Sequence, residues 1–124
     1  MSNHVHLVAR AKEGFKLSSL LRDMKKHTSK KIIKTIQEEP ESRCDWLLSV
    51  MQSSAMKNSK KQEYQLWRND NHPIVLYSET IIAQKINYIH NNPVASGIVS
   101  AAEDYIYSSA RDYADGKGLL KLII

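Results

Sequence analysis

Apolar and polar residues change period several times along the chain, and each change predicts an element. Val5-His6-Leu7-Val8-Ala9 alternates near the start, with His4 and His6 pointing one way and Val5 and Leu7 the other. That is the two-residue period of a strand. Lys12-Glu13-Gly14 reads as a turn. A helix is expected over residues 17–37, where Leu17, Leu20, Leu21, Met24, Ile32, Ile33 and Ile36 recur at helical spacing, with Ser18 or Ser19 near its start and Pro40 closing it. The apolar spacing breaks at His27-Thr28-Ser29. A second helix is expected over residues 42–56, with Trp46, Leu47, Val50 and Met51 on one face. Its end grades into a polar, basic, mobile loop over residues 53–62 that carries Lys57, Lys60 and Lys61. Residues 63–68 alternate like a second strand, residues 69–73 form a tight turn, and residues 74–77 are a short apolar segment. Ser78 caps a third helix with Glu79 in its first turn; it runs to residues 91–92 and stops before Pro93. Gly97 marks a further turn, and residues 105–110 lead into a short helical tail. There is no repeat and no low-complexity tract, so one domain spanning residues 1–124 is expected.

Composition narrows the classes. At 124 residues, with 42% hydrophobic and 25% charged, the chain has the make-up of a globular domain with a modest core. No apolar run approaches a membrane span, and residues 1–6 lack the basic start and apolar stretch of a signal peptide. The single cysteine, Cys44, excludes an internal disulfide and a multi-cysteine zinc site, which makes the cytoplasm the expected compartment. The 18 Lys and Arg against 13 Asp and Glu leave a charge of +5, which favours a polyanionic partner.

Two groups of residues can carry chemistry. His4 and His6, two apart on a strand, project from one face, and two adjacent imidazoles can bind a divalent metal ion. The same pair also suits a merely solvated strand face. On the third helix, at about 100° per residue, Ile82, Ile86 and Ile89 define the core stripe, while Tyr88 lies about 125° and Asn92 about 85° from its centre. Being four apart, these two are neighbours. A phenol there can act as a nucleophile and an amide oxygen as a hard metal ligand; equally, Tyr88 can edge the core while Asn92 closes the helix. Arg22, Lys25, Lys26, Lys30, Lys31 and Lys34 on the first helix can track a nucleic-acid backbone, or form its solvated face. Trp67 and Tyr64 suit base stacking or packing, and His72 and His90 suit structural roles.

At this point the motifs, in order, resemble a known family. Met1-Ser2-Asn3-His4-Val5-His6-Leu7 is similar to the "M-P-N-H-[VI]-H-L" strand of the HUH single-strand transposases. Trp67-Arg68, His72-Pro73-Ile74, then Ile86-Asn87-Tyr88-Ile89-His90-Asn91-Asn92-Pro93-Val94, Gly97-Ile98-Val99 and Glu103-Asp104-Tyr105-Ile106-Tyr107-Ser108-Ser109-Ala110 resemble the "W-Q…YI-x-NNPV-x-AG-[LI]-V…EDY-x-[YW]-SSA" signature of the REP-associated tyrosine transposases. The resemblance runs from Met1 to about Tyr113. It implies an α/β (α+β) domain, ferredoxin-like and RNA-recognition-like, with an antiparallel sheet and helices on one face. It implies DNA-strand transfer on single-stranded hairpin DNA through a 5′-phosphotyrosine, with Tyr88 as nucleophile and His4, His6 and Asn92 holding Mg²⁺ or Mn²⁺. Tyr105 and Tyr107 match an aromatic pair read as packing. Family members carry further chain ahead of the histidine strand, so an N-terminally incomplete domain is expected, monomeric or homodimeric. Ser2 stands where the family has proline.

The alternative is a catalytically inactive remnant that binds single-stranded nucleic acid. An unrelated enzyme built on Cys44 and a histidine is set aside, because Asp45, Glu38, Glu39 and Glu41 surround the thiol with the charge that disfavours a thiolate.

Overall fold

The computed structural model describes residues 3–40, 42–58 and 62–122. Met1 and Ser2 of the histidine motif, Glu41, and Lys60 and Lys61 of the expected loop lie outside the described residues. The chain divides into two compact units, Met1–Ala9 with Ile74–Ile124, and Arg10–Pro73.

In the unit of residues 10–73, Gly14 makes the entry turn at φ +82°, where an L side chain is strained, and Phe15 N–H donates to the Lys12 carbonyl at 3.1 Å. Helix α1, Leu17–Glu38, follows without a side-chain N-cap: Lys16 takes the cap position, and neither Ser18 nor Ser19 serves there. Helix α2, Cys44–Met56, packs against α1. Its buried stripe holds Met51 and Ala55, with Leu47 half-buried on the same side, while Trp46 and Val50 turn outward. α2 keeps its helix through Met56, so the irregular stretch begins at Lys57, later than expected. Thr28 explains the break in the α1 stripe. Its Oγ1 donates to the Met24 carbonyl at 2.8 Å and accepts from the Trp67 indole Nε1–H at 2.9 Å. The polar residue thus continues the contact face by hydrogen bonding.

In the other unit, helix α3, Glu79–Ala95, starts at Ser78, whose Oγ accepts from Ile81 N–H at 3.3 Å. α3 packs on a 3₁₀ turn, Ala102–Asp104, which also contacts the short helix α4, Ala110–Tyr113. His90, Pro93 and Ala110 are the buried residues of this unit among those described. α3 does not stop before Pro93 but passes through it. The proline cannot donate to Ile89, yet its ring is almost fully buried, and packing stands in for the missing bond. The end comes two residues later, where Gly97 adopts φ +69° and two bonds close the turn, Ile98 N–H to the Pro93 carbonyl and Gly97 N–H to the Val94 carbonyl, both 2.9 Å.

The expected antiparallel sheet is absent. Among the described residues the regular structure is entirely helical, which overturns the ferredoxin-like α/β assignment. Residues 4–9 make no backbone–backbone hydrogen bond among the described residues. Alternation only decides which way side chains would face; a strand also needs a neighbour for its backbone groups. Residues 63–68 fail for a related reason: Gln65 N–H donates to the Met51 carbonyl of α2, at 3.0 Å, rather than to a ladder.

Candidate functional site

Within the unit that holds α3, His6 meets both Tyr88 and Asn92, and His4 stands against His6. The His4 and His6 rings meet edge to face at 4.9 Å between centroids, and His6 meets the Tyr88 ring in the same manner at 5.9 Å. Asn92 Nδ2 lies 3.4 Å from His6 Nε2, across 86 positions of sequence. Helix geometry sets the α3 half. The stripe of Ile82, Ile86, Ile89, His90 and Pro93 turns inward, and Tyr88 stands off it, 59% exposed. Because α3 continues to Ala95, Asn92 sits inside the helix, not at its end, and is half-buried. On the other half, His4 is exposed and its Nδ1 makes a 2.7 Å hydrogen bond with Asn3 Oδ1, while His6 is half-buried.

Electrostatics distinguish the two histidines. Desolvation, and then the nearby His4, lower the proton affinity of His6 below the ordinary histidine value. A neutral ring keeps a lone pair for a metal ion. The donors are two imidazoles and one amide, all uncharged, and Asn92 supplies an oxygen once its amide turns about its own axis. The Asn92 oxygen is a donor of the kind Mg²⁺ and Mn²⁺ take, whereas the two imidazoles are donors that Zn²⁺, Cu²⁺, Fe²⁺ and Ni²⁺ take more readily, so the donor set accommodates a divalent ion without selecting Mg²⁺ or Mn²⁺. Among the described residues no group of three or more His, Cys, Asp or Glu gathers that could hold a metal ion.

In the unit of residues 10–73, the basic face of α1 borders a groove. Arg22, Lys25, Lys26 and Lys30 line it together with Trp67 and Arg68, whereas Lys31 and Lys34 do not. Several of these cations are engaged. Arg22 pairs with Asp23 at 2.9 Å and holds that carboxyl below its ordinary value, and Lys25 Nζ donates to the Arg68 carbonyl at 2.7 Å. Lys34 pairs with Glu38 at 3.7 Å outside the groove. Lys30 and Lys31 have no carboxylate or carbonyl partner among the described residues. The sequence pattern passed over Arg68 as part of a strand, although its place beside Trp67 was a signal for a basic, aromatic wall. Trp67 itself is half-buried, with its indole N–H committed to Thr28.

The remaining candidates have structural surroundings. His90 is buried at 8% exposure, bonded through Nε2 to Ser109 Oγ at 2.8 Å and set edge to face on Tyr113 at 5.0 Å. His72 adopts φ +45° in its turn and lies 2.6 Å from Asp70. Tyr105 and Tyr107 meet edge to face at 5.9 Å, Tyr107 largely exposed. Among the described residues no helix is long and apolar enough to cross a membrane. No protein-family model, curated protein or solved structure matches the chain.

Proposed function

We propose that this chain cleaves and rejoins single-stranded hairpin DNA, with Tyr88 as nucleophile. The observation that carries it is the meeting of His6 with both Tyr88 and Asn92, residues more than eighty positions away in sequence. His4, His6 and Asn92 would hold Mg²⁺ or Mn²⁺. When bound, the ion polarises a phosphodiester and offsets the charge that builds on it during attack.

Tyr88 supplies the attacking oxygen. It forms a bond to phosphorus as the bond from phosphorus to the 3′ oxygen breaks, and the phenolic proton leaves to solvent while the 3′ oxygen takes one up. A 5′-phosphotyrosine and a free 3′-hydroxyl result. The ester energy is kept, so the reverse attack by a 3′-hydroxyl rejoins the strand without a nucleotide cofactor. Exposure of Tyr88 lets a strand reach it, and the α3 helix holds it one turn from Asn92. In its own unit, the α1 groove offers Lys26 and Lys30 to the phosphates of a nucleic acid, and Arg22 once it leaves Asp23.

Binding without cleavage is the second reading, favoured by the exposure of His4 and by the lack of a paired neighbour for residues 4–9 among the described residues. Cleavage of an end-labelled single-stranded hairpin with Mn²⁺ decides between them. His6→Ala is expected to abolish cleavage and leave hairpin binding in place. Binding by the wild-type chain with no cleavage in Mn²⁺ or Mg²⁺ would establish the second reading.

A further inference from the structure

Lys85 lies one turn before Tyr88 on α3, and its ammonium Nζ stands 6.0 Å from the centroid of the Tyr88 ring. By helix arithmetic Lys85, Asn92 and Tyr88 fall within a sector of roughly 60° on one face, with Lys85 about 4.5 Å below Tyr88 along the axis and Asn92 about 6 Å above it. Tyr88 is therefore flanked lengthwise, by His6 and Asn92 on one side and by a cation on the other. Lys85 is half-buried, and no carboxylate pairs with it among the described residues. Contact with the ring face leaves the ammonium's three N–H donors unspent. A cation on the nucleophile's own face, without a counter-charge, lacks an anion, and a DNA strand laid along α3 brings one.

We propose that Lys85 binds the phosphate next to the one Tyr88 attacks, and so fixes which phosphodiester is presented to the phenol. This rests on Tyr88 being the nucleophile, and it assigns Lys85 a contact with a phosphate other than the one under attack. An adjacent phosphate held by an ammonium resists sliding of the strand past Tyr88.

The test compares the wild-type chain with Lys85→Gln and Lys85→Arg on a labelled single-stranded hairpin. Gln keeps the helix propensity and removes the charge. The affinity is measured over a range of salt, and the rate of covalent adduct formation is measured with Mn²⁺. Lys85→Gln is expected to lower the slope of log affinity against log salt by about one and to slow the adduct. Lys85→Arg should restore the slope. A single methylphosphonate beside the cleaved position should weaken binding of wild type but not that of Lys85→Gln. An unchanged slope in Lys85→Gln overturns the assignment, whatever the adduct does. If the slope falls as expected while wild type forms no adduct, Lys85 stands as a phosphate contact and the nucleophile reading fails.

Discussion

A histidine with one hydrogen-bond partner and an aromatic neighbour has little room for a charge, and His90 is placed in that way, between Ser109 and Tyr113. Burial lowers its proton affinity below the ordinary value near 6.5. The unfolded chain, with an ordinary imidazole, then binds the proton more tightly than the folded one. Stability from this residue is complete above pH 6.5 and is lost as pH falls from there through the folded chain's lower value. Urea unfolding at about pH 8 and about pH 5 should show a steeper loss in the wild-type chain than in His90→Asn, whose amide carries no titrating proton. Equal losses in the two chains would contradict this placement. His6 shares the direction of shift but differs in surroundings: its Nε2 lies beside Asn92 and its ring against Tyr88, whereas Nε2 of His90 is hydrogen-bonded to Ser109.

Helix α3 carries Lys85, Tyr88 and Asn92, so its two ends set how firmly the site is held. Ser78→Ala removes the hydroxyl that accepts from Ile81 N–H and is expected to cost about 1 kcal/mol. At Gly97 a Cβ would meet no atom within 4 Å, so Gly97→Ala should lose about 1 kcal/mol purely from its left-handed backbone. Gly97→Asn should lose less, because asparagine tolerates that conformation. Urea titration of the three variants checks both ends; an alanine at position 97 as stable as glycine would contradict the closing turn. These elements were legible in sequence for physical reasons. The periodic isoleucines, the Ser78 cap and the Gly97 turn are local signals, and so was the adjacency of Tyr88 and Asn92. Pro93 lies inside the helix against the sequence expectation because the cost of a missing N–H depends on whether packing replaces it, and packing is not local. Residues 4–9 and 63–68 alternate without forming strands because alternation names faces and never partners. The approach of His6 to α3 spans 86 positions, and no periodicity encodes a contact of that range; only the family resemblance pointed to it.

At the scale of the whole molecule, little apolar surface is removed from water. Met51, Ala55, Pro93 and Ala110 are the buried apolar residues among those described, while Val5, Leu7, Ile74 and Val75 stay more than half exposed. The charge of +5 gives the chain long-range attraction for phosphates, strongest at low salt. Under the proposed function, the chain joins itself to DNA through one phenol, that of Tyr88. Denaturing electrophoresis and intact mass of the protein, after incubation with a labelled single-stranded hairpin and Mn²⁺, test this most directly. The wild-type chain should gain the mass of a 5′-phosphorylated fragment. Tyr88→Phe removes one oxygen and almost no volume, so it should still bind the hairpin and gain nothing. An adduct that persists in Tyr88→Phe, or that disappears only when Tyr64, Tyr77, Tyr105, Tyr107 or Tyr113 is changed, would contradict the assignment, as would a wild-type chain that never becomes covalently linked to DNA.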